Sequence, residues 1–450
     1  MTHTAALADR IADTDFEAYE ESTVDQAKQA IRDYVGCAIY GYQHPIGERI
    51  REYVEAALPG QAASILGGGS ASPAGAALVN GTIGHAIDYD DTFESIVLHP
   101  TSPVFPAAFA MAETADADGQ ELVTGYITGV ETAYQLGHAT NPGHYDHGFH
   151  NTGTIGSFGS TAAAASVLGL DAEATAKALG IVASTASSLK RNFGSMTKPL
   201  HAGHAAQMGV RAAMLADSGF TADDAILDDE MGYGAVMTPD GTYDPTPLEA
   251  DFADGDGVAD IGYKPYPSGV ITHAAMEALR RIVLAEDLTP ADVETITVTL
   301  DDAASEMLIH AQPENALQAK FSIEFCLVAI LRERTVGVKE FSDEYVTEAA
   351  TREQLGKVER AFEPNLFGDR FAGYGARVVV ETTDGRRIAA EERQAPGSPS
   401  NPVGEKRLKR KFEQTSGVVL NRSAVTRLDD AIDRLETEQG FMQFRRTIRG

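Results

Sequence analysis

Near residue 263 the period of the apolar pattern changes, and with it the kind of structure the chain can form. Upstream, Val24, Ala27, Ile31, Tyr34, Val35 and Ala38 recur at the 3.6-residue spacing of an amphipathic helix, with Ser22 or Thr23 as its expected N-cap. Ile46, Ile50, Tyr53 and Val54 repeat that spacing after Pro45. Residues 158–170 hold the small-residue run GSTAAAASVLGL, suited to close helix packing, and residues 204–217 predict another buried helix, closed by Gly219. Downstream, a helix is predicted after Thr272. It gives way to Ile296, Val298 and Leu300 alternating with threonines, the period of a half-buried strand. Residues 376–383 and 386–390 flank Asp384-Gly385, a hairpin signal. The stretch PGSPSNPVGE (396–405) predicts a linker, and charged helices finish the chain. The expectation is a mainly α protein divided as 1–262 (helical), 263–396 (α+β) and 397–450 (helical again). At 450 residues, more than one apolar core is needed.

The formal net charge of −30 repels nucleic acid and anionic membranes, so both are excluded as expected partners. A site for an anionic substrate in such a chain must concentrate positive charge locally. The acidic residues run along the whole chain, which predicts solubility in high salt and a halophilic source. No apolar run is long enough to span a membrane, and the acidic N-terminus does not read as a signal peptide. Cys37 and Cys326 are far apart, so neither a disulfide scaffold nor a cysteine metal cage is suggested, and a cytoplasmic location is expected. Gly67-Gly68-Gly69 lacks the spacing of a phosphate loop.

Histidine carries protons near neutral pH, and eight of the twelve histidines fall between residues 85 and 204. Three segments stand out. The first, Asn80 to Pro100, packs Asp88, Asp90, Asp91, Thr92, His85 and His99 together. That many carboxylates cannot all stay ionised and unpaired in a dry place. Asp90 or Asp91 suits a helix cap, and Asp88 suits orienting an imidazole. The second, Gly143 to Thr154, sets glycines beside His144, His147 and His150, ahead of a helix start whose N–H groups suit a carboxylate. The third, Ser195 to His204, contains Lys198, the expected partner of a substrate carboxylate. Lys264 and His273 follow, with His273 at a helix N-terminus that favours its neutral form. His144-x-x-His147-x-x-His150, His201-x-x-His204 and Asp90-Asp91-x-x-Glu94 are possible ligand spacings, but Gly148 interrupts the first and the acidic motif has no second half. No catalytic metal is expected.

The series Asn80-Gly…His85-Ala-Ile-Asp88-Tyr-Asp-Asp-Thr92…His99-Pro100, Gly148-Phe-His-Asn-Thr-Gly-Thr154, Met196-Thr-Lys-Pro-Leu-His-Ala-Gly203, Lys264-Pro-Tyr-Pro…His273, Gln318-Ala-Lys-Phe-Ser322 and Asn401-Pro402 resembles the ordered motifs of the MmgE/PrpD family. The resemblance implies a large all-helical domain with an inserted, smaller α+β lid, a homodimer, and no metal or organic cofactor. It implies a small anionic carboxylate as substrate. It places Asp88, His99, Lys198 and His273 as catalytic residues and Thr92, His150 and Lys264 as substrate-binding ones. The first expectation is a 2-methylcitrate dehydratase-like hydro-lyase. Alternatives are a cis-aconitate decarboxylase or a carboxylate epimerase of the same fold, and, from another class, a non-catalytic carboxylate-binding protein. Phe325 stands where the family often has tyrosine, so a hydroxyl is expected to be missing from the site.

Overall fold

The first periodic segment forms α1 (Glu21–Gln43), followed by α2 (Pro45–Ala57). In this computed structural model, which describes residues 1–368 and 374–449, α1 begins ahead of the expected cap. Glu20 stands at the cap position in extended backbone, and its carbonyl accepts from the amides of Thr23 and Val24. Ser22 and Thr23 therefore lie inside the first turn, where Glu21 suits the positive end of the helix. The helices α3 (Pro73–Gly84), α4 (Thr101–Ala115), α5 (Gly119–Thr140), α6 (Asn151–Leu168) and α7 (Thr197–Asp217) complete the first half.

Small residues explain how these helices pack. α6 is buried on every side between Asn151 and Ala165, which an amphipathic helix would not tolerate. α3 and α7 approach at Gly81 and Gly203, where a Cβ on Gly81 would come within 2.7 Å of the Gly203 Cα. That contact fixes the end of α3 against the start of α7. After the second half of the chain, α10 (Glu405–Ser416), α11 (Arg422–Ile432) and α12 (Glu438–Arg449) return to the same core through Phe412, Leu428 and Phe444. Phe444 meets Phe109 edge-on at 5.4 Å, a geometry worth about 0.5–1.5 kcal/mol beyond area burial. Lys411 on α10 pairs with Asp33 on α1 at 2.7 Å, both buried.

A second core is built from α8 (His273–Ala285), α9 (Ile323–Glu333) and a four-stranded sheet. The strands are β1 (Val293–Asp301), β2 (Val358–Glu363), β3 (Ala376–Thr382) and β4 (Arg387–Glu392), in the order β2-β1-β3-β4. β1 runs parallel to β2 and antiparallel to β3, with Val298 opposite Val378. Ile296, Val298 and Leu300 face the core as their alternation predicts. The predicted hairpin is β3–β4, turning at Gly385 with φ +83°. The fold is thus mainly α with a small α+β part.

The stretch expected as a linker behaves differently in its first half. Residues 395–398 are buried, and the Tyr263 amide donates to the Gly397 carbonyl at 2.7 Å. The chain leaves and re-enters the first core at adjacent points. Among the described residues no helix is long and apolar enough to cross a membrane.

Candidate active site

The segment after α3 has little regular structure, and its own side chains pin it to the start of α4. Asp91 accepts from the Thr101 amide at 3.3 Å and from the Thr101 hydroxyl. Of the two aspartates expected at a helix start, it is therefore Asp91 that serves α4 directly. Burial pushes its carboxyl well above the usual range. Thr92 exchanges backbone hydrogen bonds with Gly262, tying this segment to the crossing at 263.

Asp88 sits at the tip with φ +54°, a left-handed conformation that aspartate tolerates better than most residues. Its carboxylate is clasped by two ammonium groups, Lys264 on Oδ1 at 2.5 Å and Lys198 on Oδ2 at 3.0 Å. Burial alone would raise this carboxyl, but Lys198 and Lys264 override it and hold it well below the usual range. The expectation that Asp88 orients an imidazole is corrected: His99 Nε2 stays 3.8 Å from Oδ1, beyond hydrogen-bond reach, because the lysines occupy both oxygens. The carboxylate that orients an imidazole is Asp90, 2.9 Å from His85 Nδ1 and held by the Ser102 hydroxyl at 2.7 Å. His85 then presents Nε2 to Lys198 at 2.8 Å. Burial lowers the Lys198 pKa while Asp88 opposes that shift.

His99 Nδ1 donates to the Asp91 carbonyl at 2.7 Å, leaving Nε2 unprotonated and turned toward Asp88. Burial, then the charge of Lys264, keeps His99 neutral. His150, at the N-cap of α6, is likewise held neutral by burial and Lys198. Its Nδ1 lies 2.9 Å from Nδ1 of His201 on α7.

Asp88, Thr92, His99, His150, Lys198 and Lys264 line one small cavity, between the first core and the 264–271 segment of the second. Phe193, Phe321 and Tyr145 close it with apolar surface. Its volume is about 40 Å³, room for only a few waters. A tricarboxylate needs several times that, so the walls must part for one to enter.

His273 is not among the lining residues. It is fully buried, its Nε2 is 3.2 Å from the Ser268 carbonyl, and its Nδ1 has no hydrogen-bond partner among the described residues. Phe325 also lies elsewhere, packed edge-on to Phe341 in the second core, so the hydroxyl expected to be missing would not reach the cavity from this position. The spacing His144-x-x-His147-x-x-His150 does not converge. His144 bonds to the Met237 carbonyl and to Thr154, and His147 is exposed.

His85, Asp88, Asp90 and His99 do bring ligand-type atoms within 4.8 Å of one another, the spacing of a metal cage. Their negative charge, however, is already met by Lys198 and Lys264, and a divalent ion would have to displace an ammonium from Asp88 or His85. The donor set fits a lysine-neutralised site better than a cation site.

Sequence reasoning left several supporting residues unassigned. Lys320 donates to the Ile87 and Pro267 carbonyls at 2.7 and 2.9 Å, and burial pushes its pKa down to about 7. Lys411 donates to the Tyr89 and Lys264 carbonyls at 2.5 and 3.2 Å, bracing the two segments that carry Asp88 and Lys264.

A profile of the MmgE/PrpD N-terminal domain matches residues 5–246, and one of the MmgE/PrpD C-terminal domain matches residues 266–437. The cis-aconitate decarboxylase of Mus musculus is 26% identical over 443 residues, covering 96% of this chain and 90% of that protein. The cis-aconitate decarboxylase of Homo sapiens is 28% identical over 376 residues, covering 81% and 77%. That of Aspergillus terreus is 24% identical over 437 residues, covering 91% and 88%.

Proposed function

The chain belongs to the MmgE/PrpD family, and from that premise we propose that it is a lyase releasing carbon dioxide from cis-aconitate or a closely similar unsaturated tricarboxylate. Sequence motifs alone favour dehydration of 2-methylcitrate. The relatives that align over most of the chain are named for decarboxylation, and they move the preference there.

The observation that carries the chemistry is the Lys198–Asp88–Lys264 clasp facing neutral His99 and His150 in one small cavity. In cis-aconitate the departing carboxylate sits on a methylene next to the double bond. When its C–C bond breaks, that electron pair becomes a new double bond. The old π pair moves to the carbon beside another carboxylate, which then takes up a proton. Charge thus builds on an already anionic fragment, and fixed cations aimed at it are the strongest help a protein can supply. Lys264 and Lys198 provide them in a small, buried space. Lys198 is the proton donor, because burial weakens its hold on its proton while the imidazoles are already neutral. Thr92 and His99 line the wall that orients the substrate.

The test is to incubate the purified protein with cis-aconitate, 2-methylcitrate and citrate, and to measure carbon dioxide and products. Carbon dioxide and methylenebutanedioate from cis-aconitate, lost in Lys198→Ala, support the reading. Water loss from 2-methylcitrate without carbon dioxide from cis-aconitate overturns it in favour of the hydro-lyase. Tight carboxylate binding with no turnover of any of the three favours a binding protein.

A further inference from the structure

The reaction proposed above takes up one proton per turnover, since a trianion becomes a dianion and carbon dioxide. A cavity of about 40 Å³ has room for only a few waters, and a route through its wall would resupply the proton from outside. One pair of rings in the wall is built for it. His150 lines the cavity, and its Nδ1 is 2.9 Å from Nδ1 of His201. His201 in turn lines a second, half-open pocket of about 620 Å³, with Ser188, Leu189 and His204 among its walls. The two spaces share no lining residue. Two ring nitrogens this close form one N–H···N hydrogen bond, with one ring donating and the other accepting.

We propose that His150 and His201 form a proton relay leading from the half-open pocket to the reaction cavity. A proton taken from water or a buffer acid at His201 Nε2 releases the Nδ1 proton to His150 Nδ1. His150 releases its Nε2 proton into the cavity that Lys198 also lines, replacing the one Lys198 gave to the carbanion. The rings reset by exchanging tautomers. Each carbon dioxide released is matched by one proton carried in, and no bonds other than N–H bonds change in the relay. Besides burial, the groups acting most strongly on His201 are His85, Lys198 and His204, and on His150 they are Lys198, His201, His85 and His99, while Asp88 lines the same cavity as His150. Dehydration would need no such supply, because it takes and returns a proton within the site.

The relay rests on the decarboxylase reading, so the experiment begins with the intact wild-type protein and cis-aconitate. No carbon dioxide from it overturns that reading and the relay together. With turnover established, His201→Ala is expected to lower kcat by about ten- to a hundredfold with KM nearly unchanged. Added imidazole, which reaches the vacated position from the half-open pocket, is expected to restore the rate saturably. His201→Asn separates proton transfer from packing. Its amide nitrogen can keep the hydrogen bond to His150 but passes no proton, so this variant is expected to stay slow. Wild-type rates in His201→Asn, or no response of His201→Ala to imidazole, overturn the relay and leave the decarboxylase reading standing.

Discussion

Replacing Asp88 by asparagine isolates the electrostatics of the site. Asparagine has the same shape and accepts the left-handed backbone that Asp88 adopts at φ +54°, so geometry is held constant. What is lost is one negative charge between two ammonium groups, at 2.5 Å and 3.0 Å. With an effective dielectric of about 20, a unit pair at this distance interacts by roughly 5 kcal/mol before desolvation is counted. Stranding one partner of a buried pair costs about 3–5 kcal/mol, and here two cations are stranded together. Lys198, weakened by burial, can relieve part of that by giving up its proton. The unliganded variant is therefore expected to be about 3–5 kcal/mol less stable than wild type. A tricarboxylate supplies the missing negative charge, so the saturated analogue propane-1,2,3-tricarboxylate should stabilise Asp88→Asn more than wild type. The chain has no tryptophan, so urea unfolding is best followed by far-UV circular dichroism. Equal stability of the unliganded proteins, or a larger ligand effect in wild type, would refute the reasoning.

Three further outcomes are expected. Burial, then Asp260, pushes the Glu94 carboxyl up to about 8, so the folded state holds a proton that the unfolded state has released. Its contribution to stability therefore falls as pH rises between about 4.5 and 8, by about 1.4 kcal/mol per unit, and Glu94→Gln should flatten that slope in urea titrations at pH 5 and pH 8. Lys411→Ala should cost about 3–5 kcal/mol by leaving Asp33 buried and unpaired, while the double variant Asp33→Asn, Lys411→Met should cost less, as a double-mutant cycle would read. Turnover should survive dialysis against a chelator, because Lys198 and Lys264 supply the positive charge at the site; loss of activity restored by a divalent cation would contradict this.

Much of this arrangement was legible in the residues because its signals are local. The alternation through Ile296, Val298 and Leu300 and the Asp384-Gly385 turn each specify a strand or hairpin within a few positions. β2 gave no such signal. It is an edge strand, mostly exposed, and charged residues at the edge keep it from presenting an apolar face. Among the site residues, six of those expected line one cavity because their motifs lie at helix ends that the core brings together. His273 does not line that cavity, and a histidine at a helix N-terminus has the same sequence context whether it faces a cavity or, as here, a buried carbonyl. The division of labour between Asp88 and Asp90 could not be read either. It depends on where Lys198 and Lys264 arrive, which is a matter of tertiary distance and not of spacing along the chain.

The salt bridge between Asp33 and Lys411 also sets an order of events during synthesis. Its partners are separated by 378 positions, and a ribosome adding about 5–20 residues per second needs roughly 20–75 s to join them. Throughout that interval the groove on α1 at Gly36, which Phe412 and Thr415 later fill, lies uncovered on the nascent chain. Every side chain lining the cavity has been made by residue 374, yet the brace on Tyr89 and Lys264 comes from residue 411. A premature stop between residues 375 and 411 would thus leave every cavity-lining side chain in place while the segments carrying Asp88 and Lys264 lack their brace.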